Sequence, residues 1–149
     1  MTDIEAQGAV TMEELLERVR KAEGGNRELD AALFVVLVPN PRDPWRYWHA
    51  DMERPGIVLD GPHDAQAENA PAYTTSLDAA LALMEAKLPG CRWNVWKNRQ
   101  GIHGAEVCMD LAGGVSKGST PALALVAILL KTLMAQERQL PAQPEEEQR

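Results

Sequence analysis

Nine consecutive apolar residues, Ala122 to Leu130, follow Thr120 and Pro121. Thr at the cap and Pro at the first helical position mark the start of a helix, and a helix with no polar position over that length is buried around most of its girth. Such a segment must lie between a sheet and another helix. It falls well short of the roughly 20 apolar residues that a membrane-spanning helix requires, so it predicts a core around which the rest of the chain is arranged.

Size and charge fit one such core. The chain has 149 residues, 45% of them hydrophobic, which suits a single domain over residues 1–136. From 137 to 149 the composition turns to Pro, Gln and Glu, with too little apolar surface to offset ordering entropy, and a disordered acidic tail is expected. A net charge of −7 argues against duplex nucleic acid and anionic membrane as partners. The opening MTDIEAQG has neither a basic nor an apolar signal region, so a cytoplasmic protein is expected. Cys91 and Cys108 have no CxxC spacing and read as reduced core residues. His49, His63 and His103 complete no metal set, and neither metal nor cofactor is expected.

Local patterns place the other elements. Thr11 and Glu14 stand at capping-box spacing before Met12, Leu15, Leu16 and Val19, which predicts a helix over Met12–Glu23 ended by Gly24-Gly25. Leu29, Ala32, Leu33, Val36 and Leu37 repeat at helical intervals and stop before Pro39. Pro39 to Ala72 holds six of the ten prolines and no sustained period, which predicts a long irregular excursion with a short strand at Ile57–Leu59. Thr75 and Asp78 read as a second capping box, opening a helix with Leu77, Leu81, Met84 and Leu88 on one face and Pro89-Gly90 at its end.

Alternation then takes over. Trp93 and Val95, and across a turn Ala105, Val107, Met109 and Leu111, alternate with polar positions, which predicts an antiparallel hairpin over Arg92–Leu111. The register that keeps like faces together sets Trp93 opposite Val107, Val95 opposite Ala105, Arg92 opposite Cys108 and Trp96 opposite Gly104. Trp96 then shares a face with Arg92, Asn94, Glu106 and Asp110, and the glycine gives its ring room to lie flat. Both faces of the sheet are expected to need partial cover. The class is α+β, an α/β/α sandwich around a small antiparallel sheet flanked by about four helices.

Three features carry candidate chemistry. Trp45, Arg46, Tyr47, Trp48 and His49 interleave aromatic rings with cations, as base stacking with phosphate contacts requires; the simpler reading is that the rings anchor the excursion or seal a homodimer. From Lys87 to His103 there are four Lys and Arg residues and no acid, enough to steer an anion towards Arg92 and Trp96. Ala112 to Pro121 has the glycine content of a phosphate loop but Ser119, not Lys, follows Gly118. That excludes the nucleoside-triphosphatase pattern and leaves Lys117, Ser119 and Thr120 as candidates for holding one anion.

Two stretches, PAYTTSLDAALALMEAKLPGCRWNVWKN and GSTPALALVAILLKTLMAQ, together with RELDAAL at Arg27–Leu33, resemble the phage ABA sandwich domain family. The resemblance covers 54 of the 149 residues, in capping and packing signatures. It implies an α/β/α layered fold and a phage or prophage source, with no catalytic residues to carry over. The expectation is a non-enzymatic accessory protein binding a small anionic ligand, such as a nucleotide, or a host protein. The alternatives are a hydrolase or transferase acting on a phosphorylated substrate at Gly113–Thr120, with His103 as base, and a structural homodimer.

Overall fold

The computed structural model describes residues 10–41, 47–61, 66–108 and 113–139. In chain order the elements are α1 (Met12–Lys21), α2 (Arg27–Leu37), β1 (Trp48–Ala50), β2 (Ile57–Asp60), β3 (Gln66–Asn69), α3 (Leu77–Lys87), β4 (Arg92–Lys97), β5 (His103–Cys108), β6 (Gly113–Gly118) and α4 (Pro121–Gln139). Four helices and two antiparallel three-stranded sheets make the domain α+β, as expected.

Capping chemistry starts each helix. Glu14 N–H donates to Thr11 Oγ1 at 3.1 Å and Thr11 N–H to Glu14 Oε1 at 3.2 Å, the reciprocal box that the spacing predicts. Asn26 Oδ1 caps α2 through Leu29 N–H at 2.9 Å. On α3 the cap is Ser76, whose Oγ accepts from Ala79 N–H at 3.2 Å, not the expected Thr75–Asp78 box. Thr75 is turned instead against Gly25, where there is no room for a Cβ. Thr120 Oγ1 accepts from Leu123 N–H at 3.1 Å to open α4.

Every residue from Ala122 to Leu130 is buried to 1% exposure or less. One side of α4 covers β4, β5 and β6, and its other sides meet α1 and α3. α2 packs on α1 and carries the first sheet on its far side, with Ala31, Phe34 and Val35 against Trp48, Ala50, Val58 and Ala70. Among the described residues, helices therefore cover the second sheet on one face only. Ala105 and Val107 point into the core, while Arg92, Asn94, Cys108, Val115 and Lys117 are exposed on the other face. Cover on both faces was expected. Gly104, Lys117, Glu106 and Arg92 explain the difference, because a face so poor in apolar side chains gains little from burial.

In its described residues the excursion holds three short strands: the one expected at Ile57–Leu59 is β2, and β1 and β3 were not expected. Trp48, His49 and Ala50 pair with Asp60, Leu59 and Val58, and Ile57 to Asp60 with Asn69 to Gln66. Strands of three and four residues are too short to display a period, and Pro55 and Pro71 sit in the connections. Cys108, expected in the core, is exposed because it shares the outer face with Arg92; Cys91 is half-buried, and both are free thiols. The last helix continues three residues past the predicted domain edge at 136, and residues 140–149 lie outside the described ones.

Candidate functional site

The hairpin register is the predicted one at every position, from Arg92 opposite Cys108 to Lys97 opposite His103; Met109 to Leu111 lie outside the described residues. What the sequence reading missed is the third strand. Gly113 to Gly118, read as a loop, pairs along its length with Cys108 to His103 and puts Lys117 opposite Gly104. Glycines there serve close packing: a Cβ on Gly118 would fall 2.6 Å from Ala124 N, and Gly114 takes φ +151°.

β6 changes what the candidate residues can do. Trp96, Gly104 and Lys117 form one row across β4, β5 and β6 on the open face. A Cβ on Gly104 would stand 2.5 Å from Trp96 Cε2 and Cζ2, so the indole lies flat over the glycine and points across the sheet towards Lys117. Trp96 and Lys117 are two strands apart, about 10 Å. Arg92 is on the same face, with Nη2 3.9 Å from Cys108 Sγ. At the free edge of β6 a depression of about 420 Å³ is lined by Arg20, Val115, Ser116, Lys117 and Lys131. Arg20, Lys117 and Lys131 make it cationic in an acidic chain.

Ser119 and Thr120 do not join them. Ser119 Oγ donates to Ala22 O at 2.9 Å and ties α1 to the start of α4. Thr120 Oγ1 accepts from Leu123 N–H and donates to Thr74 O at 3.5 Å. Gly118 lies against the first turn of α4, where an anion at the helix start would have to sit. Both hydroxyls carry structural bonds.

Trp45 and Arg46 lie outside the described residues. Tyr47 is half exposed, and its ring is tilted 44° to His49 at 5.6 Å. Trp48 turns inward and meets Phe34 edge-on at 4.9 Å, anchoring β1 to α2. His49 lines a cavity of about 570 Å³ between α1, α2 and the β1–β2 turn, with Arg18, Glu28, Val35, Met52 and Pro55. Its Nδ1 is buried without a hydrogen-bond partner. Asp51 at the rim is engaged by the turn: its carboxylate accepts Glu53 N–H at 2.9 Å and Arg54 Nε at 2.6 Å, which together hold its pKa below the ordinary value.

A buried polar cluster behind this cavity also escaped the sequence reading. Asp30, fully buried, accepts Arg27 Nη1 at 2.7 Å on one oxygen and Thr74 Oγ1 at 2.7 Å and Thr74 N–H at 2.8 Å on the other. Arg27 Nη2 continues to Ala70 O at 2.8 Å and Gly56 O at 3.3 Å. The cluster joins α2 to the first sheet and to the segment before α3. Its one visible sequence signal is the spacing of Arg27 and Asp30, three residues apart on a helix.

Among the described residues no group of three His, Cys, Asp or Glu side chains is placed to hold a metal ion, and no helix is long and apolar enough to cross a membrane. Comparison with known proteins finds no match: no family model, no curated protein and no solved structure is significantly similar to the chain.

Proposed function

We propose that the protein is a non-enzymatic accessory protein of phage or prophage origin that binds a small anionic ligand of nucleotide type on the open face of its second sheet. The observation that carries the reading is the row Trp96–Gly104–Lys117, with an indole laid flat on glycine and an exposed ammonium beside it. A flat indole stacks on a base, and Lys117 with Arg20 and Lys131 offers a phosphate its counter-charge. The phage origin rests on the likeness of the Pro71–Asn98 and Gly118–Gln136 stretches to the phage ABA sandwich family.

Titration with ATP, followed by tryptophan fluorescence and thermal shift, tests the site. Binding that Trp96→Ala and Lys117→Glu each weaken about tenfold, with folding intact, supports it. Binding indifferent to both substitutions removes it.

The His49 cavity supports a second reading, a small ligand with an apolar body and one hydrogen-bonding group. Its volume and mostly apolar lining suit such a molecule. A ligand whose binding is lost in His49→Ala but kept in Trp96→Ala would favour this cavity.

A further inference from the structure

We infer that a second copy of the chain pairs edge to edge with β4, setting its Arg92 beside Trp96, so that the anion-binding row is shared between two protomers; this rests on the nucleotide reading above.

The two edges of the second sheet differ. On β6, Lys131 Nζ donates to Val115 O at 3.0 Å and occupies a carbonyl of the strand. On β4, six residues long, no strand pairs with the outer edge among the described residues, and Trp93 is 40% exposed. Unpaired edges are templates for another strand.

Which backbone groups β4 offers follows from its turn. Asn98 N–H donates to Ile102 O at 2.9 Å, in register with the ladder. Bonded pairs alternate in an antiparallel ladder, so Trp96, Asn94 and Arg92 exchange bonds with β5, and the N–H and C=O of Trp93, Val95 and Lys97 point to the free side.

Two copies of β4 can continue one antiparallel sheet only about a two-fold axis perpendicular to it, which keeps each face on its own side. Facing residue numbers must then sum to an even value. Of the two such registers nearest full overlap, the one centred on Asn94 sets Trp93 opposite Val95 on the helix side and Arg92 opposite Trp96 on the open face. The one centred on Val95 sets Trp93 against Lys97 and Arg92 against the turn residue Asn98. The second also sets a cation, Lys97, against an indole and Val95 against itself, but it leaves Trp96 facing Asn94; only the first gives Trp96 a cation and covers the exposed Trp93 with an apolar side chain.

This register completes the site. Within one chain Arg92 is four residues from Trp96 along the strand, about 13 Å away. Across the seam the second copy's Arg92 is about 5 Å from Trp96. The row becomes Arg92, Trp96, Gly104, Lys117, a stacking surface between two cations, and the two-fold makes two of them.

Charge explains why the pairing is linked to the ligand. Arg92 and Lys97 lie on β4 and Arg99 in its turn, against one acid, Glu106 opposite Asn94, so two copies repel until an anion enters the shared rows. One strand pair also buries little beside the ~1,600 Å² of a standard interface. The free protein therefore associates weakly, and ATP promotes the dimer.

The test is complementation between two defective variants. Arg92→Ala and Trp96→Ala each lack both rows as homodimers, but a mixed dimer keeps one intact row. Equal mixing should restore about a quarter of the wild-type ATP sites, since about half the dimers are mixed. Asn94, which faces itself across the axis, gives a second measurement in sedimentation velocity without ligand. Asn94→Lys alone should be monomeric, and its mixture with Asn94→Asp dimeric. No recovery in the first mixture, or no dimer in the second, overturns the shared site. If ATP binding is unaffected in both single variants, the nucleotide reading fails, and the Asn94 mixture still decides whether the edges pair.

Discussion

The Arg27 guanidinium lies flat against Gly56, so close that a Cβ on the glycine would fall 2.5 Å from Nε. Gly56 also holds φ at +86°. The residue that turns the chain into β2 is thus the seat of the cation that binds the first sheet to α2. Gly56→Ala should cost about 2–3 kcal/mol, combining the left-handed backbone with displacement of a hydrogen-bonded side chain. Urea denaturation reads this directly, and a loss below about 0.5 kcal/mol would mean that Arg27 moves aside freely.

Asp30 is the centre of the same cluster. Asp30→Ala leaves the Arg27 guanidinium and the Thr74 hydroxyl and amide without their acceptor, and should destabilise by about 3 kcal/mol. Asp30→Asn, which keeps an oxygen for Thr74, should lose clearly less. Equal losses in chemical denaturation would show that the negative charge, and not the hydrogen bonds, holds the cluster.

Tyr73 is buried beside Asp30, and its pKa rises from 10.0 to about 12, mainly through desolvation and then through the Asp30 charge. The unfolded chain releases this proton first, so the folded state is unaffected below pH 10 and loses stability as pH rises from 10 to about 12. The slope should approach 1.4 kcal/mol per pH unit. Tyr73→Phe should remove that slope from thermal melts recorded across the window.

Two glycines of the second sheet should respond differently to one added methyl group. At Gly104 the obstacle is the Trp96 ring, which can tilt, whereas at Gly118 it is the backbone of α4. Gly104→Ala should cost about 1 kcal/mol and shift tryptophan emission, and Gly118→Ala about 2–3 kcal/mol. Reversed sizes would mean that α4 is free to move on the sheet.

The two thiols should separate by rate. Cys108 is exposed, while Cys91 is half-buried with its pKa raised by desolvation, and thiolate availability sets reactivity. A thiol reagent should label Cys108 well before Cys91 in the native protein. Equal rates would indicate that β4 opens at its first residue.

Features with a local signature were legible in the sequence. The Thr11–Glu14 box, the cap at Thr120, the buried girth of α4 and the pairing of Trp96 with Gly104 each depend on a few neighbouring residues, and each is present. Features defined by distant partners were not. Of the first sheet only β2 was legible, as the short strand expected at Ile57–Leu59; β1 and β3 hid because strands of three or four residues carry too few alternations to stand out among prolines. β6 hid because Gly113, Gly114 and Gly118 are common in turns, and only the approach of α4 to Gly118 makes them necessary in a strand. The candidate site was half legible: Arg92, Trp96 and Lys117 were named, but β6 was needed to set Lys117 in line with Trp96, and the proposed use of Ser119 and Thr120 met hydroxyls already bonded.

The position of α4 as the last described element has a consequence for how the protein is made. α1, α3 and the whole second sheet find their shared apolar partner in a helix that leaves the ribosome after all of them. Until then Met84 and Val107 lack the helix they close on, Leu15 and Val19 have only α2 beside them, and Ser119 is not yet there to fasten α1. Folding of this domain must follow translation of α4 rather than accompany it, leaving a nascent chain with open apolar surface that invites chaperones.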